Sequence, residues 1–284
     1  MWPAFVMLVC GVALVAAGLY FLDQLLLRRG ADQKASDNVS QAKRQGLATV
    51  PTSNDDQLAG LVFDIWVAGL RTEFTDDQLA GLVFDIWVAG FDTTITTLHW
   101  MFLYMIHYPE VQHKIQAEID QKIGRETEVR MEHKNQLPYT YATVQELQRC
   151  INLLKFNVPR TTTTDVAIMG YHLKKGTIVV PQISAVMTDA KLFPEPEKFK
   201  PDRFLSSDGY LNTSKLEALV PFSVGKRSCL GESLARMELF LIFANILRQL
   251  AIAKVPFQAF PPLEPRSMSR STAKPYRCKL GQRL

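Results

Sequence analysis

The chain opens with an apolar stretch that is followed by a polar one. Residues 1–22 carry no charged side chain, and at about 1.5 Å per residue a helix of that length spans a hydrocarbon core of roughly 30 Å. Arg28 and Arg29 come next, and basic residues there favour a cytoplasmic location for the rest of the chain. A cleaved signal peptide is the alternative, but it would have positive charge before a shorter apolar run. We therefore predict a transmembrane anchor at 1–27 and a polar linker at 28–54.

An internal repeat follows the linker. The sequence DDQLAGLVFDIWVAG occupies 55–69 and recurs, letter for letter, at 76–90. In each copy the apolar residues recur at helical spacing, and a capping residue, Asn54 or Thr75, precedes a glutamine by three positions. Such identity indicates either a recent duplication or an assembly error in the sequence. We predict a duplicated helix fragment at 55–74 and the start of a longer helix in the second copy.

Downstream of the repeat, helical and strand patterns alternate. Helical spacing continues to residue 123, with Pro109 opening a second segment, and resumes at Pro138. Short apolar runs separated by glycine turns at 158–180 predict strands. A broad apolar stripe after Ser233 predicts another long helix. The pattern therefore indicates a fold that is mainly α with small β-sheets.

Composition and charge exclude several classes of function. The net charge of +4 is too small and too dispersed to indicate nucleic-acid binding. Four cysteines occur without any C-x-x-C pair, so neither a disulfide framework nor a zinc site is expected. With 47% hydrophobic residues, the chain has enough apolar material to build a globular core.

One cysteine lies in a setting that suits metal binding. A loop bracketed by Gly225 and Gly231 presents Cys229 just before the last helical stripe. The backbone N–H groups of a helix start, together with Lys226 and Arg227, stabilise negative charge, and a thiolate is a soft metal ligand. Because the glycines lack side chains, the backbone can approach a flat ligand closely. The alternative for an isolated cysteine is a small buried hydrophobic residue.

The same loop resembles the haem-thiolate signature F-x-x-G-x-R-x-C-x-G of the cytochrome P450 superfamily. Phe222, Gly225, Arg227, Cys229 and Gly231 occupy its five defined positions. The run that follows, G-E-x-L-A-R-M-E-L-F, is typical of microsomal members. The resemblance implies that Cys229 is the axial ligand of the iron in haem b, that Arg227 contacts a haem propionate, and that the other three residues belong to the cofactor-binding loop.

A second motif lies at the end of the repeat. The segment A-G-F-D-T-T, which includes Asp92 and Thr93, resembles the part of the P450 fold that crosses the distal face of the haem. The resemblance implies that this pair delivers protons for catalysis. The alternative is the polar face of an ordinary helix. After the first copy an arginine, Arg71, replaces the acid, so no catalytic role is assigned there.

A third motif concerns support of the site. Glu146 and Arg149 share a helical face and resemble the E-x-x-R signature, while Arg203 lies in a stretch that resembles P-E-R-F with Asp for Glu. The resemblance implies a structural role, in which these three residues lock the haem-binding core. A surface ion pair of little energetic value is the alternative. By the same resemblance Arg160 is a second propionate contact, rather than a solvated charge at a strand end.

Together these motifs predict that 75–284 is the haem-binding, C-terminal half of a P450 fold, joined to an N-terminal transmembrane helix. The resemblance implies a monooxygenase that inserts one oxygen atom from O₂ into a small lipophilic substrate. Its electrons would come from NADPH through a P450 reductase, with cytochrome b5 as a further candidate partner. The expected location is the endoplasmic reticulum membrane, with the catalytic part in the cytoplasm and the lipid bilayer holding the anchor. The alternative is a shortened, catalytically inactive membrane-anchored remnant of the family.

Overall fold

The computed structural model describes residues 75–266 and 271–283. The chain divides after Phe91, so residues 75–91 and the residues from Asp92 onward are described separately. The predicted anchor at 1–27, the linker and the first copy of the repeat lie outside the described residues. Within the described ranges, no helix is both long enough and apolar enough to span a bilayer.

The observed elements are mainly helical with small sheets, which confirms the predicted fold class. The α-helices are α1 Asp76–His107, α2 Pro109–Lys122, α3 Pro138–Ile151, α4 Ile183–Met187, α5 Thr213–Glu217 and α6 Glu232–Gln249. The strands are β1 Arg160–Thr161, β2 Val166–Ile168, β3 Tyr171–Leu173, β4 Ile178–Val179, β5 Leu250–Lys254 and β6 Cys278–Gln282. Short 3-10 helices occupy Met131–Gln136, Pro201–Phe204 and Gly225–Arg227.

The first described element begins as its sequence predicts. The backbone N–H of Thr75 donates to Gln78 Oε1 at 2.9 Å, and the N–H of Gln78 donates to Thr75 Oγ1 at 3.3 Å. This reciprocal capping box satisfies donors that a helix start leaves free. Between Phe84 and Val88, however, the apolar side chains of α1 are exposed, with Phe84 at 60% and Trp87 at 37%.

Local chemistry also explains where α3 begins. A proline stands in the first turn, where the missing N–H costs nothing. The Glu118 carboxylate on α2 accepts hydrogen bonds from the N–H groups of Tyr139 and Thr140, both at 2.8 Å. A negative charge at this end complements the helix dipole. One side chain thereby caps α3 and joins it to α2.

From Leu98 onward, α1 packs with α2, α3 and α6 around one apolar core. A smaller apolar cluster combines Met187 of α4 with Phe193 and Phe204. In α6 the second half is buried, whereas the first turn is not. The second half of α6 therefore anchors the helix in the core, whereas its first turn is more exposed.

The three sheets are antiparallel pairs: β1 with β4, β2 with β3, and β5 with β6. The last pair runs in register from Leu250 opposite Gln282 to Lys254 opposite Cys278. Gln112 of α2 joins this sheet to the helices, because its amide donates to the Ile252 carbonyl at 2.9 Å and accepts from the Ile252 N–H at 2.7 Å. The buried amide is thus fully used at both ends.

Candidate functional site

The loop that carries Cys229 is folded back on itself by backbone contacts. Ser223 and Gly225 both adopt positive φ, at 66° and 81°, which reverses the chain. The N–H of Ser228 donates to the Gly225 carbonyl at 3.0 Å, and the N–H of Cys229 donates to the Phe222 carbonyl at 2.9 Å. Cys229 therefore sits at a defined position just before α6, as its sequence predicts.

The thiol is flanked along the chain by exposed aliphatic side chains and by the exposed polar residues Lys226, Arg227 and Ser228. Cys229 is exposed, and its neighbours Val224, Leu230 and Leu234 are 70%, 86% and 54% exposed. Aliphatic side chains in such positions gain free energy when an apolar partner covers them. A Cβ added at Gly231 would lie 4.0 Å from the Cys229 sulphur, in contact with the thiol. The loop thus presents a soft donor together with aliphatic and cationic side chains, and Gly231 adds no side chain beside the sulphur.

These residues fit a haem. The thiol is the kind of donor that iron accepts, and the exposed aliphatic groups suit a large apolar ring. Arg227 is also exposed and supplies a cation for an acidic substituent. Over the part of the chain that the structure describes, no cluster of three or more His, Cys, Asp or Glu could hold a metal ion by itself.

Two side chains that the sequence motifs did not identify hold the loop in place. The Asn157 amide donates to Ser223 Oγ at 2.7 Å, at the first reversal of the loop. The Arg236 guanidinium lies 5.1 Å from the centre of the Phe222 ring. Arg236 also donates to Glu232 Oε1 at 2.8 Å and to the Gln145 side-chain oxygen. Only the four-residue spacing of Glu232 and Arg236 was visible in the sequence.

Arg160, the second predicted propionate contact, is placed by a short sheet. It begins β1 and pairs with Val179 of β4, and its side chain is half-buried. The segment that leads into β1 is joined to the Cys229 loop through the bond between Asn157 and Ser223. Arg160 thus follows directly from a segment anchored to the loop, and its role remains a prediction.

The three residues predicted to brace the site form one buried network. Glu146 accepts from Arg149 Nε at 2.7 Å and Nη2 at 2.9 Å, and from Arg203 Nε at 2.9 Å. The side chains of Glu146, Arg149 and Arg203 are only 0%, 1% and 8% exposed. The Lys200 N–H adds a further bond to Glu146 at 2.9 Å. Since buried charges require such pairing, this carboxylate is structurally indispensable.

The arginines of the network also organise the chain around them. Arg149 Nη1 donates to the Met187 carbonyl at 3.0 Å, and Arg203 Nη1 donates to the Pro194 carbonyl at 2.8 Å. Cys150 lies beside them, with Arg149 Nη2 at 3.1 Å from its sulphur. Burial, followed by the nearby Glu146 carboxylate, raises the pKa of the Cys150 thiol to about 12. The Cys150 thiol is therefore held in its neutral form within the network.

The predicted proton-delivery pair lies on α1. Asp92 is exposed, and Thr93 is half-buried, its carbonyl accepting from Thr97 Oγ1 at 2.9 Å. The next residue, Thr94, is buried and donates to Glu238 Oε2 at 3.5 Å. Burial raises the pKa of the Glu238 carboxyl, which the hydrogen bond from Thr94 opposes. This contact joins α1 to the helix that follows Cys229, and sequence spacing alone contained no signal for it.

Comparison with known proteins identifies the family. The family model described as Cytochrome P450 matches residues 32–280. The chain belongs to the cytochrome P450 family. The resemblance seen in the motifs is confirmed, and the match also includes residues that precede Thr75.

Curated relatives cover the chain unevenly. Cytochrome P450 2J2 of Homo sapiens is 45% identical over 55% of this chain and 31% of its own length. Cytochrome P450 2E1 of Oryctolagus cuniculus is 37% identical over 80% of this chain and 48% of its own length. The chain thus spans half or less of the length of these P450 relatives.

A solved P450 structure has the same fold. The structure named "Zebra fish cytochrome P450 another structure with Abiraterone" matches with a TM-score of 0.67 and 30% identity. It covers 74% of this chain, which in turn covers 48% of it. Members of the P450 family are haem-dependent monooxygenases that use haem b with electrons from NADPH through a reductase.

Proposed function

We propose that this chain carries the haem-binding part of a P450 monooxygenase that inserts one oxygen atom from O₂ into a small lipophilic substrate. The observation that carries the proposal is the exposed thiol of Cys229, set between two glycines and surrounded by uncovered aliphatic side chains. Membership of the P450 family supports the assignment of this thiol to haem iron.

In this proposal the loop residues bind and orient the cofactor. Cys229 would supply the thiolate ligand to iron, and Phe222, Gly225 and Gly231 would form the cofactor-binding loop around it. Arg227 and Arg160 neutralise the two propionates, which favours one orientation of the cofactor. When bound, haem supplies the activation of dioxygen and the oxygen transfer. Glu146, Arg149 and Arg203 keep the supporting helix and the later loops in place.

Asp92 and Thr93 hold and pass protons in the same proposal. A carboxylate exposed to water can exchange protons with solvent, and a neighbouring hydroxyl can donate its proton and be reprotonated. The exposure of Asp92 and the partial burial of Thr93 support this division of roles. The buried Thr94, through Glu238, keeps their helix against α6.

Electron supply and location follow from the relatives and from the N-terminal sequence. We propose NADPH as the source of electrons, a P450 reductase as the donor protein and cytochrome b5 as a second candidate donor. The apolar run at 1–22 and the microsomal relatives support an anchor in the endoplasmic reticulum membrane, with the catalytic part facing the cytoplasm.

The test is cofactor uptake by the full chain. We expect the chain reconstituted with haem to show a thiolate-ligated Soret band in the reduced carbon-monoxide difference spectrum. Cys229→Ser should abolish that band, because a hydroxyl is a poor ligand for iron. Cys278→Ser, a change at a partly buried cysteine in β6, is the matched control and should retain it. Lack of haem uptake by the unmodified chain, or equal spectra for both variants, would overturn the proposal.

A further inference from the structure

Arg236 occupies a position in the fold that the proposed function leaves unexplained. It lies in the second turn of α6, shortly after Cys229, and its side chain is 21% exposed. Its guanidinium makes three different kinds of contact: an ion pair with Glu232, a hydrogen bond to Gln145, and a contact over the Phe222 ring at 5.1 Å. A cation within about 6 Å of a ring centre is attracted by the ring electrons.

Two of these contacts, those to Phe222 and Gln145, lead to different parts of the site. Phe222 begins the loop, and its carbonyl accepts the N–H of Cys229 at 2.9 Å. Gln145 precedes Glu146 on α3 and is fully buried. The amide nitrogen of Gln145 has no hydrogen-bond partner within the described residues. The side-chain oxygen of Gln145 accepts a hydrogen bond from Arg236. Arg236 thus connects the loop to the helix that carries the buried network.

We propose that Arg236 is the positioning residue of the Cys229 loop. It holds the Phe222 ring against the start of α6, and the Phe222 carbonyl in turn holds the amide of Cys229. The effect of Arg236 on iron ligation rests on the proposed function, whereas the effect of Arg236 on the conformation of the loop does not. Arginine suits this position better than lysine, because its planar fork can stack on a ring while it donates to two acceptors in fixed directions.

Backbone hydrogen exchange in the full chain without haem tests the positioning directly. In Arg236→Gln, the peptide that contains Phe222 and Cys229 should exchange about tenfold faster, because the loop opens more often once the cation is gone. Exchange in the buried second half of α6 should stay unchanged. Arg248→Gln is the matched control, since Arg248 lies on the same helix and also bonds to a neighbouring carbonyl, that of Arg125. It should leave the loop unaffected.

Two outcomes of this experiment would overturn the proposal. One is loop exchange in Arg236→Gln that equals that of the unmodified chain. The other is faster exchange throughout α6 and the core, which would mean that Arg236 only stabilises the fold. Arg236→Lys keeps the charge but not the fork, so its loop should exchange at a rate between those of the unmodified chain and Arg236→Gln.

A second measurement concerns the bound cofactor. After reconstitution, Arg236→Gln should take up haem but show a smaller thiolate-ligated fraction in the carbon-monoxide difference spectrum, with partial recovery in Arg236→Lys. An unchanged fraction would contradict the proposed effect on ligation. If the unmodified chain takes up no haem, the proposed function fails, while the exchange experiment still decides whether Arg236 positions the loop.

Discussion

The Glu146 network and the Cys229 loop differ in how far the protein buries and pairs their functional groups. In the network, one carboxylate with 0% exposure is paired with two arginines that are 1% and 8% exposed. In the loop, an exposed thiol stands among aliphatic side chains as much as 86% exposed. The first region is complete within the protein itself. The second has the composition of a surface that a ligand covers.

This difference separates residues that maintain the fold from residues that bind. Removing a partner from a buried ion network leaves uncompensated charge, so changes there should strongly destabilise the fold. Changes to exposed side chains of the loop should leave stability nearly unchanged and act on binding. The predictions below test that separation, from the largest expected effect to the smallest.

Removing the central carboxylate should have the largest effect. Glu146→Ala leaves two guanidinium groups buried without their counter-charge, and we expect a loss of about 3–5 kcal/mol in the free energy of unfolding. Urea unfolding followed by circular dichroism measures it. Glu195→Ala is the matched control, since Glu195 also pairs with two cations, Lys198 and Lys200, but is exposed. A comparable loss in both variants would show that burial does not determine how much the network contributes to the free energy of unfolding.

The two cysteines of these regions should differ strongly in reactivity. With its pKa raised to about 12, the Cys150 thiol stays protonated at pH 8, and it is only partly exposed to reagent. We expect iodoacetamide to modify Cys229 at least about a hundredfold faster than Cys150 in the folded chain. Mass spectrometry of the digested protein gives the rate at each residue. Similar rates under native conditions would contradict the prediction. Similar rates in urea would not, because unfolding exposes both thiols.

A charge placed on the loop should weaken haem binding without unfolding the chain. Leu230→Glu replaces a side chain that is 86% exposed, so the free energy of unfolding of the haem-free chain should hardly change. Haem affinity should fall roughly tenfold or more, because an apolar contact is lost and a carboxylate would be desolvated. Haem titration measures the affinity. Met169→Glu, at a 95% exposed apolar residue of the β2–β3 turn, is the control and should bind haem normally.

The smallest effect concerns the contact between α1 and α6. Because the pKa of Glu238 is raised in the folded state, folding favours the protonated form of this carboxyl. The stability that this group contributes therefore declines as the pH rises above 4.5, the ordinary pKa of a glutamate. Glu238→Gln removes this titration. The fall in the free energy of unfolding between about pH 4.5 and 7 should therefore be shallower in the variant than in the unmodified chain. Urea unfolding at several pH values decides it, and parallel curves would contradict the prediction.

Sequence reasoning succeeded where contacts are local. The capping box at Thr75 and Gln78 and the helix breaks at Pro109 and Pro138 depend on residues a few positions apart. The pairing of Glu146 with Arg149 also follows from a three-residue spacing. By contrast, Thr94 and Glu238 meet across 144 positions, and no local pattern marks such a contact.

The sequence by itself determined the family, the candidate iron ligand and the order of the helices α1, α2, α3 and α6. Short-range rules of capping, periodicity and motif spacing are sufficient for those features. Only the tertiary structure decided that Glu146 is fully buried, that Arg236 reaches Phe222 and Gln145, and that the surface around Cys229 is left uncovered. The physical reason is that burial is set by which distant segments pack together, and burial decides whether a charge maintains the fold or a thiol meets a ligand.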